Sequence, residues 1–206
     1  MTEDLELLEA WRSGDQAAGN ALVRKHFPIV YRFFSNKVGR GVEDLAQRTF
    51  LACVEARDKI PDGVSFRAYL LGIARYKLFH HLRHKRRHTD RFDFGDMTIE
   101  AIDGSPSQVV AEKEEQRVLL RALRRIPVEF QMTVELFYWE DLSVAEVAAV
   151  LDVAPGTVKS RLSRARDLLR TEIEALAESD SIRDSTIGDL DRWARSLRDV
   201  LDREKS

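Results

Sequence analysis

The chain has 206 residues, with 33 Lys or Arg, 35 Asp or Glu and a formal net charge of −2. That length accommodates one domain or two small ones, and 44% hydrophobic residues are enough to build real cores. No charge-free run exceeds eight residues, far short of the about 20 apolar positions a membrane helix needs. The opening MTEDLELLEAW is acidic and unlike a secretory signal, and the single cysteine, Cys53, has no internal partner, so a cytoplasmic, reducing location is expected.

Helical periodicity runs through the chain, and no alternating strand pattern emerges. Leu5, Leu8 and Trp11 open a first helix; Ala18, Ala21, Leu22, Val30, Phe33, Phe34 and Val38 continue the pattern around Pro28. Val42, Leu45, Ala46, Thr49, Phe50, Cys53 and Val54 recur at helical spacing, which turns the Cys53 thiol toward a core. Pro61-Asp62-Gly63 reads as a turn before a long helix carrying Phe66, Leu70 and Ile73 on one stripe and Leu71, Ala74, Leu78 and Leu82 on the next. Lys85 follows on that second stripe, so core packing is expected to end at Leu82. Residues 93–115 read as a flexible acidic linker. Periodicity returns with Val118, Leu119, Ala122, Leu123 and Ile126, stops at Pro127, and resumes with Phe130, Val134 and Phe137. The expected fold is all-α: small helical domains at 1–92 and 116–176, and an extension at 177–206. In that extension Leu190, Trp193, Ala194, Leu197 and Leu201 form an amphipathic stripe after an ESDSIRDSTIGD spacer.

The small net charge hides segregation. Residues 1–95 sum to +5 and residues 96–115 to −5. Stretch 75–91 holds seven Lys/Arg and four His against one acid, and 157–170 holds five Lys/Arg against one. Two separated basic helices suit two contacts with a polyanion.

Residues 142–170, LSVAEVAAVLDVAPGTVKSRLSRARDLLR, carry the most information. Ser143 and Glu146 form a capping box that fixes a helix start. Asp152-Val153-Ala154 makes a short turn, and Pro155 suits the first turn of the next helix, where its missing N–H costs nothing. That second helix buries Val158, Leu162, Ala165 and Leu169. Ser160, Ser163 and Arg164 project oppositely, flanked by Lys159, Arg161 and Arg166. A helix, a tight turn and a helix with a basic outer face match a helix-turn-helix that fits a major groove.

This stretch resembles the C-terminal DNA-binding region of the extracytoplasmic-function sigma factors of the sigma-70 family, through Leu142-Ser143 and Gly156 to Leu168. The resemblance extends upstream. Glu43-Asp44-Leu45-Ala46-Gln47-Arg48-Thr49-Phe50-Leu51 is similar to the family's ED-L-x-Q-E-T-F-L segment, and Ser65 through Arg75 with the basic run is similar to its promoter-melting helix. The resemblance implies an initiation factor without catalytic activity, cofactor or metal, whose partners are core RNA polymerase and promoter DNA, with room for an anti-sigma factor. It assigns Asp44 and Gln47 to polymerase docking. It assigns Tyr76, Lys77, His80, Arg83, His84 and Arg87 to the −10 element, and Lys159, Ser160, Ser163 and Arg164 to the −35 element, with Arg161 and Arg166 counted beside them as flanking −35 contacts. Arg48 reverses the charge of the family's usual Glu, Tyr76 stands where relatives often carry Asn, and Asp152 replaces a turn glycine.

The alternative is a stand-alone dimeric helix-turn-helix regulator that binds operator DNA without polymerase. A metal site at His80, His84 and His88 is disfavoured by seven neighbouring cations and the absence of an HExxH pattern. Neither a phosphate-cradling glycine loop nor a nucleophile signature points to an enzyme.

Overall fold

A computed structural model describes residues 2–61, 64–85, 97–102, 113–189 and 192. In chain order its helices are α1 (Thr2–Arg12), α2 (Gln16–Ser35), α3 (Val42–Glu55), a 3-10 turn at Arg57–Lys59, α4 (Phe66–Lys85), α5 (Ile99–Ile102), α6 (Glu114–Arg125), α7 (Val128–Tyr138), α8 (Val144–Leu151), α9 (Pro155–Leu176) and α10 (Asp180–Gly188). No strand occurs among the described residues.

Local chemistry sets these boundaries. The Asp15 carboxylate caps α2 by accepting from the N–H groups of Ala17 (2.8 Å) and Ala18 (3.2 Å). Pro28 lies inside α2 without ending it, so the helix is continuous as the pattern around it implies. Gly19 lets α1 approach: a Cβ there would come within 2.5 Å of the Trp11 indole. Leu22, Val30, Phe34, Leu70, Leu71, Ala74 and Leu78 are fully buried where α2, α3 and α4 meet. Leu82 is buried and Lys85 exposed, so the core ends on α4 where the pattern predicts.

Helices α6 to α9 surround a second set of buried side chains, among them Leu119, Leu123, Met132, Leu136, Val147 and Ile173. The Ser143 hydroxyl accepts from Glu146 N–H (3.2 Å), while the Glu146 carboxylate accepts from Ser143 N–H (2.9 Å). This is the predicted capping box. Asp152 adopts the left-handed conformation at φ 54°, ψ 53°, a state that Asp tolerates better than most residues.

Three features depart from the sequence reading. Within the expected flexible linker, 97–102 is docked: Ile99 is fully buried, Met97 C=O accepts from Val128 N–H (2.8 Å), and Glu100 pairs with Arg125 (2.8 Å). An isoleucine in a polar segment has apolar surface to hide, and α6 offers the place. Part of the expected spacer, 180–188, is helix α10, capped by Ser179, with Thr186 buried and Ile182 and Ile187 against the core. Finally, the two helical units share a seam, with α8 lying directly on α4. Asp62 and Gly63 of the expected turn, and the stripe from Leu190 to Leu201, lie outside the described residues.

Candidate nucleic-acid interface

The exposed face of α9 follows from its buried one. Val158, Leu162, Ala165 and Leu169 are anchored, so Lys159, Ser160, Ser163 and Arg164 emerge on the exposed side. The Ser160 hydroxyl donates to Thr157 C=O (2.9 Å), and the Arg164 guanidinium lies 6.0 Å from the Phe130 ring centroid. This contact leaves the cation exposed while restricting its rotamers. Arg161 and Arg166 are placed differently. Arg161 is half-buried in an ion pair with Glu129, and Arg166 donates to the Tyr138 hydroxyl (2.6 Å). The six −35 candidates therefore divide into four free to meet a duplex and two tied to α7. Helical spacing alone could not separate them, because the partners sit 32 and 28 residues away.

On α4, Tyr76 is 66% exposed, and His80, Arg83 and His84 are exposed beside it. Lys77 is half-buried, and the His80 and His84 rings stand 4.5 Å apart. Arg87 and His88 lie outside the described residues. Tyr76, Lys77, His80 and His84 line an open cleft of about 490 Å³, closed on the α3 side by Asp44 and Arg48. An exposed aromatic ring among cations can stack an unpaired base and hold its backbone.

Asp44 and Gln47 are exposed on α3. Asp44 pairs with Arg48 one turn on, at 2.9 Å, so the arginine that departs from the resemblance is the partner of the candidate docking carboxylate. Burial fixes other groups. It pushes the Cys53 thiol up to about 12, which makes it an inert core residue. Burial also lowers the Arg75 guanidinium, which faces Glu129, Asp152 and Arg161 across the seam.

Comparison with known proteins decides what this arrangement belongs to. Residues 22–88 match the family model of sigma-70 region 2, and residues 116–169 match that of sigma-70 region 4. The RNA polymerase sigma factor CarQ of Myxococcus xanthus is 30% identical over 165 residues, covering 79% of this chain and 93% of that protein. The chain belongs to the extracytoplasmic-function sigma factors of the sigma-70 family. The ECF RNA polymerase sigma-E factor of Salmonella typhimurium is 27% identical over 182 residues, covering 84% of this sigma factor and 95% of its own length. The solved sigma factor RpoE of Bartonella quintana shares the fold, with a TM-score of 0.58 at 21% identity over 75% of this chain and 96% of that one. The sigma factor directs promoter-specific transcription initiation by RNA polymerase, and the stand-alone regulator is not favoured. No helix among the described residues is long and apolar enough to cross a membrane.

Proposed function

We propose that the sigma factor divides promoter recognition between the two exposed faces: α4 captures and melts the −10 element, and α9 reads the −35 duplex. The observation that carries this reading is the sorting of α9, where Lys159, Ser160, Ser163 and Arg164 stand exposed while Arg161 and Arg166 are held by Glu129 and Tyr138. Arg164 suits a bidentate grip on guanine, and Lys159 suits a phosphate. Tyr76 stacks an unpaired −10 base, with Lys77, His80, Arg83, His84 and Arg87 along the backbone. Asp44 and Gln47 dock on polymerase, where a carboxylate and an amide suit an arginine-rich helix. Polymerase supplies the nucleotidyl transfer; this chain has no catalytic activity of its own and works in the cytoplasm. The Bartonella quintana relative was solved with the anti-sigma factor NepR, which supports an anti-sigma partner here as well.

Arg164→Ala should cost about 1–3 kcal/mol of promoter affinity in the holoenzyme and relax preference at one −35 base pair. Binding measured on a set of −35 variants checks this, and an equal loss on every sequence would make Arg164 a phosphate contact. Asp44→Arg should weaken binding to core polymerase with the fold intact; normal core binding would remove the docking assignment.

A further inference from the structure

Within two turns of α9 stand Arg161, Arg164 and Arg166, and α7 meets each with a different chemistry. Arg161 pairs with the Glu129 carboxylate, and Arg166 donates to the Tyr138 hydroxyl at 2.6 Å. Both commit N–H donors to an oxygen. Arg164 does not: its guanidinium carbon lies 6.0 Å from the centroid of the Phe130 ring, and no hydrogen bond or ion pair engages it among the described residues. A phenyl ring attracts a cation through the negative potential of its face and carries no oxygen or nitrogen acceptor. All five guanidinium donors therefore stay available.

The ring itself is well fixed. Val128 and Met132, on either side of it in α7, are fully buried. Phe130 N–H donates to Pro127 C=O (2.9 Å), and the Thr133 hydroxyl donates to Glu129 C=O (2.6 Å). The Glu129–Arg161 ion pair ties this same turn of α7 to α9, one turn before Arg164. Phe130 is half-buried, so part of it packs on the core while the rest borders the exposed cation. An arginine surrounded by water samples many rotamers and gives up much of that freedom when it grips a base. A ring that excludes part of this range lowers the loss. Orientation also separates a two-bond grip on guanine O6 and N7 from a single bond to any acceptor.

We propose that Phe130 is a positioning residue for −35 recognition: its ring aims the Arg164 guanidinium at a guanine edge without occupying the donors that the guanine needs, and so raises discrimination at that one base pair. The role rests on the guanine reading of Arg164 given above. A carboxylate in place of the ring would orient the side chain more firmly but would hold donors back from the base, as Glu129 does with Arg161. At 6.0 Å the contact lies at the outer reach of such an attraction. The ring biases the side chain rather than locking it, and the effect on discrimination is about two- to fivefold.

The test is holoenzyme binding to promoter duplexes substituted at each −35 base pair in turn. Two variants probe the ring: Phe130→Leu, which keeps apolar bulk, and replacement of Phe130 by pentafluorophenylalanine, which keeps the ring's shape and inverts its charge distribution. Each should lower discrimination about two- to fivefold at the base pair that Arg164→Ala identifies, and leave the other −35 pairs unchanged. Neither should have a further effect in an Arg164→Ala background. Unchanged discrimination, a loss spread evenly over all pairs, or the same loss without Arg164 would overturn the positioning role. Circular dichroism checks that helix content is kept; if Phe130→Leu loses it, the fluorinated ring alone decides. If Arg164→Ala weakens every sequence equally, the guanine reading fails. The positioning role is then decided by overall affinity, which the ring variants must lower in the wild-type background and leave unchanged in Arg164→Ala.

Discussion

Arg48 and Asp44 show how one substitution is absorbed locally. Exposed pairs one helical turn apart contribute only about 0.3–0.5 kcal/mol, so under the proposed docking role a partner's guanidinium would displace Arg48 at little cost. His26 is the opposite case, a buried ring whose Nε2 meets Asp4 at 3.0 Å. Burial lowers its affinity for a proton more than Asp4 raises it, while Lys25 and Arg67 act with burial and Glu146 lines the same cleft. A histidine depressed in the folded state contributes stability that is full above about pH 6.5, its ordinary value, and is lost as pH falls. Wild-type protein should therefore lose stability between pH 7.5 and 5.5, and His26→Gln should flatten that loss. Urea denaturation at both pH values checks the assignment, which fails if the loss is the same in both proteins.

At the scale of elements, the start of α8 is the clearest instance of sequence dictating structure. Serine, two residues and glutamate specify reciprocal caps, and burial, which would raise the Glu146 carboxyl, is outweighed by the Ser143 bonds, which hold it low. Ser143→Ala should cost about 1 kcal/mol, seen as a lower thermal midpoint with α9 binding geometry otherwise retained. A loss within error would mean that water caps the helix equally well. Local signals of this kind made most helices readable: periodicity for α4 and α9, Pro155 for the start of α9, and Asp152 for the turn. Helix α10 was hidden because Ile182 and Thr186 are sparse in a polar run that also reads as a spacer.

At the scale of the molecule, legibility fades for a physical reason. The seam depends on charges that meet across about half the chain, and no local pattern marks Arg32 or Glu140 as partners. Helical spacing likewise left Arg161 and Arg166 as flanking DNA contacts, because it carries no information about Glu129 and Tyr138. The burial of Ile99 was equally hidden, since one apolar residue makes no period. Yet that single anchor governs how far the two units can part. Lys85 and Met97 are twelve residue steps apart, at most roughly 43 Å of chain, whereas Lys85 to Lys113 allows roughly 100 Å. Ile99→Asp should lengthen the mean distance between dyes placed at Glu55 and Glu174, measured by energy transfer. An unchanged distance would show that the docked segment sets no limit. With Ile99 seated, the covalent tether between the two units reaches at most roughly 43 Å, and unseating it raises that limit to roughly 100 Å, so one isoleucine rations the slack in the whole chain.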